Sequence, residues 1–244
     1  MKIIVFASVK GGVGKTAAAV FTAQALAALG ARVILIDADP NNCATDFFLR
    51  DARLEAIAEH SLYHALVGTR SLADCTMAGT LNCPHALTIV PATPSLARAG
   101  VELAHDPGIA VRFPKAVRAL DAEVVIIDTP PSLTLELNLA LYAADIVLVP
   151  VGANRWTVGA FPVVADMVAH AAEASGRSPK LLALPAIVTV KEAEQLKSID
   201  SWTTTSAVVL KNVSIRNALT AGSALKAGSL AGSAYLELAK ELSA

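Results

Sequence analysis

The sequence predicts an α/β fold, a single doubly wound, mostly parallel sheet with helices on both faces. Short apolar runs alternate with helical patterns along the chain, which is typical of βαβ units. The residues are 54% hydrophobic, 17% charged and only 5% aromatic. This composition suits parallel strands that are buried on both faces and covered by helices rich in small residues.

Seven strands and seven helices are predicted in alternation, joined by right-handed connections. Apolar runs predict strands at 3–7, 33–36, 87–90, 124–127, 146–149, 181–188 and 207–210. Helical spacing predicts helices near 15–29, 61–67, 114–120, 135–142, 158–174, 193–199 and 234–242. The glycine-containing stretch 220–233 is expected to be a surface connection, and the irregular region 51–94 an insertion beside the ligand site.

The 244 residues are expected to form one domain, 1–244, since one α/β unit can hold that length. No window of about 18 apolar residues predicts a membrane span. The chain begins with a strand pattern instead of a signal peptide, so a cytoplasmic location is expected. The net charge of -1 favours no class of partner.

The cysteines predict neither a disulfide framework nor a metal centre. Cys43, Cys75 and Cys83 form an odd set without a Cys-x-x-Cys pair, so reduced thiols are expected. Cys75, Cys83 and His85 match no standard zinc spacing and lack a fourth ligand.

A phosphate-binding loop is predicted at residues 9–16, Val-Lys-Gly-Gly-Val-Gly-Lys-Thr, between the first strand and the first helix. In such a loop backbone N–H groups surround phosphates and the final hydroxyl coordinates Mg²⁺. Val9 occupies the usual first glycine position, and a second lysine, Lys10, follows it. A charged side chain this close to the loop needs a phosphate or an acidic partner.

Two further motifs end predicted strands with carboxylates. Asp37 and Asp39 follow the second strand, where Pro40 ends the strand and lets Asp39 project from the turn. Asp128 ends the run 124–127 and is followed by Thr-Pro-Pro-Ser. A buried strand that delivers one carboxylate to its tip is how phosphate-loop enzymes hold Mg²⁺.

Together these motifs resemble the deviant P-loop (deviant Walker A) ATPases, the group containing ParA, MinD and the nitrogenase iron protein. The resemblance implies a P-loop NTPase fold, the cofactors ATP and Mg²⁺, slow hydrolysis without a partner and an ATP-sandwich homodimer. It implies that Lys10 reaches the partner's nucleotide and that Lys15 and Asp39 are the other catalytic residues. The implied nucleotide contacts are Gly11, Gly12, Val13, Gly14, Lys15, Thr16, Ala17 and Pro185, and the implied metal residues are Thr16, Asp37 and Asp128.

The resemblance is strongest to ParA-type proteins without an N-terminal helix-turn-helix domain. It implies binding to nonspecific nucleoid DNA as the ATP dimer, positioning of a DNA or protein cargo, and a ParB-like adaptor that stimulates hydrolysis. The candidate DNA contacts, scattered through the basic segment 197–226, are Lys197, Lys211, Arg216 and Lys226.

One other class of function remains open, and two more are disfavoured. A MinD-like membrane regulator would need a basic amphipathic terminal helix, but residues 234–244 carry two acids and one lysine. That helix is therefore expected to pack on the sheet. The iron protein would need cysteines in another arrangement. A nucleotide-binding subunit with negligible turnover is disfavoured by the presence of both lysines together with Asp39 and Asp128.

Overall fold

The computed structural model describes residues 1–79 and 86–243 as one eight-stranded sheet with helices on both faces. The strands are β1 Lys2–Phe6, β2 Val33–Asp37, β3 Met77–Ala78, β4 Leu87–Val90, β5 Val124–Asp128, β6 Ile146–Val151, β7 Lys180–Val188 and β8 Val209–Leu210. The helices are α1 Lys15–Ala28, α2 Cys43–Leu49, α3 Leu54–Glu59, α4 Leu62–Leu66, α5 Ala99–Glu102, α6 Ile109–Arg118, α7 Leu135–Ala143, α8 Arg155–Val158, α9 Ala160–Ser175, α10 Val190–Lys197, α11 Val213–Ala221 and α12 Leu230–Ser243, with 3-10 turns at Ala73–Cys75 and Pro94–Arg98.

The strand order is β3-β4-β2-β5-β1-β6-β7-β8, and every pairing except β3 with β4 is parallel. The strand β5 lies between β2 and β1. In this register Asp128 at the end of β5 is the partner of both Phe6 and Asp37. Parallel strands end at the same edge of a sheet, so the segments that follow β1, β2 and β5 meet there. The predicted fold class is confirmed.

Two hydrophobic clusters cover the two faces of the sheet. Alternate residues of β1 serve opposite faces, because side chains along a strand point to opposite sides. Ile4 packs with the cluster that contains α1 and α12, and Ile3 packs with the cluster formed by α6, α7 and α9. The sheet is therefore sandwiched, and its edge at the strand ends is left for ligands.

The terminal helix α12 was predicted to pack on the sheet, and it lies against α1 in the hydrophobic cluster that covers one face of the sheet. The rings of Tyr235 and Phe21 lie 5.4 Å apart between their centroids, and Leu238 and Leu242 are buried in the same cluster. Within residues 1–79 and 86–243, none of the helices has the length and apolar character needed to cross a membrane.

Several helix boundaries differ from the predicted ones for local reasons. A helix was predicted near 114–120. The helix α6 starts five residues earlier because Ile109, Phe113 and Val117 bury one apolar face. The helix α10 starts at Val190 because Thr189 and Glu192 form a capping box.

Six elements of the described structure were not predicted. Five are the helices α2, α3, α5, α8 and α11, and the sixth is β3, an antiparallel strand of two residues at the sheet edge. All are short, and their sequences lack a clear helical or alternating pattern. The prediction about Cys83 and His85 falls outside the described residues. Cys75 is buried, and its thiol approaches the carbonyl of Ser61 at 3.8 Å.

Candidate nucleotide-binding site

The predicted phosphate loop leaves the end of β1 and enters α1 at Lys15. Gly14 caps the helix in the left-handed conformation, with φ 81°. A Cβ atom there would also lie 3.0 Å from Cδ1 of Ile187. Both the backbone angle and the close contact require glycine at this position. Because α1 then begins with its N–H groups facing the loop, its N-terminus is suited to an anion.

Lys15 points inward from the first turn of α1 and is 6% exposed. Its ammonium donates a hydrogen bond to the carbonyl oxygen of Thr129. Its Nζ also lies 3.7 Å from Oδ1 of Asp128. The Thr129 hydroxyl donates to the Phe6 carbonyl at 2.8 Å, which fixes the segment after β5 to the end of β1. The loop lysine is thus held beside the carboxylate of the third motif.

Asp128 and Asp37 end neighbouring strands in register, and both are fully buried. Burial raises the pKa of Asp37 to about 7, the adjacent Asp128 carboxylate adds to this rise, and hydrogen bonds from Thr45 and the Asp39 N–H oppose it. Burial also raises the pKa of Asp128, with the Lys15 ammonium and the nearby Thr16 hydroxyl acting against the rise. A cation beside these two buried carboxylates would stabilise their ionised forms.

Asp37 is held by α2. Its Oδ2 accepts hydrogen bonds from both N and Oγ1 of Thr45, each 2.8 Å long, and the same hydroxyl accepts the Ala92 N–H at 2.8 Å. These bonds fix the position of Asp37 relative to the sheet.

Asp39 lies on the turn between β2 and α2 and is 7% exposed. Its Oδ1 accepts two hydrogen bonds of 2.9 Å, from N and Nδ2 of Asn41. Its own N–H donates to Oδ1 of Asp37 at 3.2 Å. The turn closes through Asn42, whose left-handed φ of 49° is unusual outside glycine. Hydrogen bonds within its own turn therefore orient the carboxylate.

Lys10 differs from Lys15 because its side chain is exposed. Its N–H donates to Oγ of Ser8 at 3.1 Å, and its Nζ lies 6.0 Å from the ring centroid of Trp156. The Arg155 guanidinium lies 4.8 Å from the same ring. None of the ion pairs within the described part of the chain includes Lys10. The sequence left open whether Lys10 has an acidic partner, and none is found among residues 1–79 and 86–243.

A cavity of about 190 Å³ opens beside the loop, lined among others by Gly12, Asn154, Ile187 and Glu192. Ile187 has φ 58°, a strained conformation for a β-branched residue. The predicted contact Pro185 is buried in β7 opposite Val151 and does not line this cavity. The adjacent Ala186 and Ile187 line it instead.

The four candidate DNA contacts lie on different elements. Lys197 ends α10 and donates from Nζ to the Ser206 carbonyl at 2.9 Å. Lys211 precedes α11, Arg216 lies within α11, and Lys226 follows it; all are exposed. No ion pair involves any of the four in residues 1–79 and 86–243.

The residues at this edge fit a phosphate chain with a divalent cation. Neither oxygen of the buried Asp128 carboxylate has a hydrogen-bond partner of normal geometry in the described structure. The half-buried Thr16 follows Lys15 at the start of α1. Oxygen ligands of this kind, supplemented by phosphate oxygens and water, suit Mg²⁺. Among the described residues no cluster of three or more His, Cys, Asp or Glu side chains offers a metal site formed by protein alone.

Sequence reasoning missed three residues that build this site: Ser8, Thr45 and Trp156. It placed Thr129 in the Thr-Pro-Pro-Ser segment after Asp128, but the backbone carbonyl that accepts from Lys15 carries no sequence signal. Thr45 lies eight residues after Asp37, so only knowledge of α2 could connect the two. The fold, the loop at the strand-to-helix turn and the buried carboxylates define a P-loop NTPase.

Comparisons with known proteins place the chain within this class. A family model described as an AAA domain matches residues 1–175. The chain is 39% identical over 195 residues to the chromosome-partitioning ATPase Soj of Thermus thermophilus, covering 79% of this chain and 71% of that protein. It is 38% identical to the sporulation initiation inhibitor protein Soj of Bacillus subtilis, over 62% of this chain and 58% of the relative.

The fold is also similar to that of a McdA variant from Cyanothece in complex with ATP, with a TM-score of 0.85 and 22% identity over 99% of this chain and 96% of that one. The chain belongs to the ParA-type ATPase family. It is an ATPase, and the oxygen ligands at the strand ends fit ATP with Mg²⁺.

Proposed function

We propose that this ATPase dimerises with ATP, binds nonspecific nucleoid DNA as the dimer, and partitions or positions a cargo. The cargo is plasmid or chromosomal DNA or a protein body such as a carboxysome, and a ParB-like or other adaptor stimulates hydrolysis. The observation that carries the proposal is the exposed Lys10 at the mouth of the loop, which has no acidic partner among the described residues. Relatives named as partition ATPases support the same function.

Within the site, the proposed roles follow from charge and burial. Lys15 neutralises phosphate oxygens in its own subunit, and the N–H groups of residues 11–16 hold these oxygens at the start of α1. Thr16 and Asp128 hold Mg²⁺, with Asp37 supporting Asp128. Bound Mg²⁺ supplies positive charge that compensates the phosphate oxygens.

Asp39 is proposed to orient the attacking water. Asn41 occupies Oδ1 of Asp39 with two hydrogen bonds. The other carboxylate oxygen takes no hydrogen bond in the part of the chain that the structure describes, so it is available to accept one from water. The nucleoside is proposed to enter the cavity beside Gly12 and Ile187.

Lys10 is proposed to act in trans, on the nucleotide of the second subunit. A lysine that is exposed without ATP and paired with a partner's phosphate in the dimer makes the interface depend on the nucleotide. Hydrolysis then removes the contact and separates the subunits, so the nucleotide state becomes an assembly switch.

The exposed cations of the segment 197–226 are proposed to contact DNA phosphates, and a dimer presents them twice. Neutralised phosphates release counterions, so binding must weaken as salt rises. For the MinD-like alternative the structure offers no support, because Tyr235, Leu238 and Leu242 of α12 are buried in the cluster that contains α1. Residues 1–244 are proposed to act as one ATPase domain.

The test is binding to a random-sequence DNA duplex at several salt concentrations, with the Asp39→Ala variant in ATP compared with the same variant in ADP. Salt-sensitive binding in ATP alone is the expected result. Absence of binding in both states refutes the DNA function, and a liposome association assay then tests the membrane alternative.

A further inference from the structure

Arg50 lies between the Asp37–Asp39 segment of the nucleotide site and α11, the helix that carries the candidate DNA contact Arg216. It caps the C-terminus of α2, and its guanidinium makes two hydrogen bonds of 2.9 Å: Nη2 donates to Oδ2 of Asp46, and Nη1 donates to the carbonyl of Thr220. Thr220 lies in the last turn of α11, where carbonyls lack helical partners and carry partial negative charge. The Arg50 guanidinium supplies a hydrogen-bond donor to one of these carbonyls and a positive charge beside them.

The end of α11 is shaped to receive this side chain. Gly222 caps the helix in the left-handed conformation, with φ 63°. A Cβ atom at this position would lie 3.1 Å from both Cζ and Nη1 of Arg50. The guanidinium therefore lies directly against the backbone of the cap, and glycine leaves the room for it.

The other end of α2 is attached to the nucleotide site. Thr45 in its first turn donates two hydrogen bonds of 2.8 Å to the buried carboxylate of Asp37. Thr45 and Arg50 are five residues apart on a helix that rises about 1.5 Å per residue. A short rigid element thus joins Asp37 to the C-terminus of α11, and α11 carries the exposed Arg216.

We infer that Arg50 is a positioning residue that couples the nucleotide site to the basic surface around α11. Rearrangement of the Asp37–Asp39 segment on ATP binding shifts α2, and Arg50 transmits the shift to α11. The inference rests on the proposed function, since it explains how nucleotide state controls contact with DNA. In this inference α11 has two positions, and both nucleotide and DNA shift the equilibrium between them.

The test uses Arg50→Ala in the full chain, with Arg53→Ala as the matched control. Arg53 lies three residues away, its side chain is 83% exposed and its ion pair is with Glu55, so the control removes the same charge without touching α11. The measured quantity is the ratio of the Kd for a random duplex in ADP to the Kd in AMPPNP. The ratio is expected to fall about fivefold or more in Arg50→Ala and to stay unchanged in Arg53→Ala. An unchanged ratio in Arg50→Ala overturns the inference.

Hydrogen exchange of residues 213–221 provides a readout that needs no DNA. Exchange in the wild type is expected to differ between AMPPNP and ADP, and this difference is expected to disappear in Arg50→Ala although a fluorescent ATP analogue still binds. A purely structural role would raise exchange equally in both nucleotide states. A difference that persists in Arg50→Ala, or is absent from the wild type, overturns the inference.

A second variant disturbs the contact between Arg50 and α11 at the α11 residue Gly222. Gly222→Ala should displace the guanidinium and reduce the Kd ratio as Arg50→Ala does. Gly176→Ala is the control, because Gly176 caps α9 with φ 67° and no atom lies near its Cβ position. Equal ratios in the two glycine variants contradict the coupling. If the wild type binds DNA in neither state, the proposed function fails, whereas hydrogen exchange still decides the role of Arg50.

Discussion

Lys15→Ala tests whether the loop lysine supports folding as well as nucleotide binding. Its ammonium lies 3.7 Å from the fully buried Asp128 carboxylate. At an effective dielectric constant of about 20, two unit charges at this separation attract by about 4 kcal/mol. Removal of one partner of a buried pair typically costs about 3–5 kcal/mol. Uptake of a proton by Asp128 limits the loss, so we expect the free energy of unfolding to fall by about 2–4 kcal/mol.

Urea denaturation of four variants measures this loss without nucleotide. Asp128→Asn removes the buried negative charge that the Lys15 ammonium compensates. The double variant Lys15→Ala with Asp128→Asn should therefore recover most of the stability. It should still fail to bind ATP. The control is Lys115→Ala on the exposed side of α6, which should change the free energy by less than about 0.5 kcal/mol. If the double variant is as unstable as Lys15→Ala, the charge argument is wrong. An unchanged midpoint in Lys15→Ala would refute it as well.

Three further predictions concern the dimer, hydrolysis and stability. Lys10→Ala should raise the dissociation constant of the ATP dimer about tenfold or more, as measured by analytical ultracentrifugation. ATP binding by the monomer should be retained. An unchanged dissociation constant excludes action of Lys10 in trans. Asp39→Ala should lower the hydrolysis rate about 100-fold or more and leave an ATP-bound dimer, and full turnover would remove Asp39 from the mechanism. Burial raises the pKa of Asp145, but hydrogen bonds from Arg118, the Ile3 N–H and Arg177 outweigh it and lower the pKa overall. A lowered folded pKa stabilises the protein above the unfolded value of about 3.9 and loses this effect as pH falls through the folded value. Asp145→Asn should therefore lower the free energy of unfolding by about 2 kcal/mol at pH 7. Its urea midpoint should approach that of the wild type as the pH falls below the unfolded value of about 3.9, and the two should meet only below the folded value. A difference that is constant with pH would contradict this.

The phosphate loop and the two carboxylate motifs were predictable because they are local. Residues 9–16 combine three glycines, two lysines and a threonine in one continuous segment that follows a predicted strand, and this pattern predicts a phosphate site. The central strands were predictable for a related reason, since strands buried on both faces read as continuous apolar runs. The closeness of Asp37 to Asp128 also follows from the rule that parallel strands end at one edge.

Short elements and contacts between distant segments could not be predicted in this way. The helix α2 has seven residues and no apolar period, yet it holds Asp37 through Thr45. The contact between Arg50 and Thr220 joins residues 170 positions apart, and the acceptor is a backbone carbonyl. No local pattern encodes such a pair.

The sequence by itself determined the class of fold, the place of the phosphate loop and the identity of the acidic residues at the strand ends. The tertiary structure decided which lysine is buried and which is free. Lys10 and Lys15 are five residues apart in one glycine-rich segment, but the turn at Gly14 directs Lys15 to Asp128 and leaves Lys10 exposed beside Trp156. The physical reason is that the burial and charge compensation of a side chain depend on all the strands and helices that pack around it. A motif contains only one continuous segment of the chain.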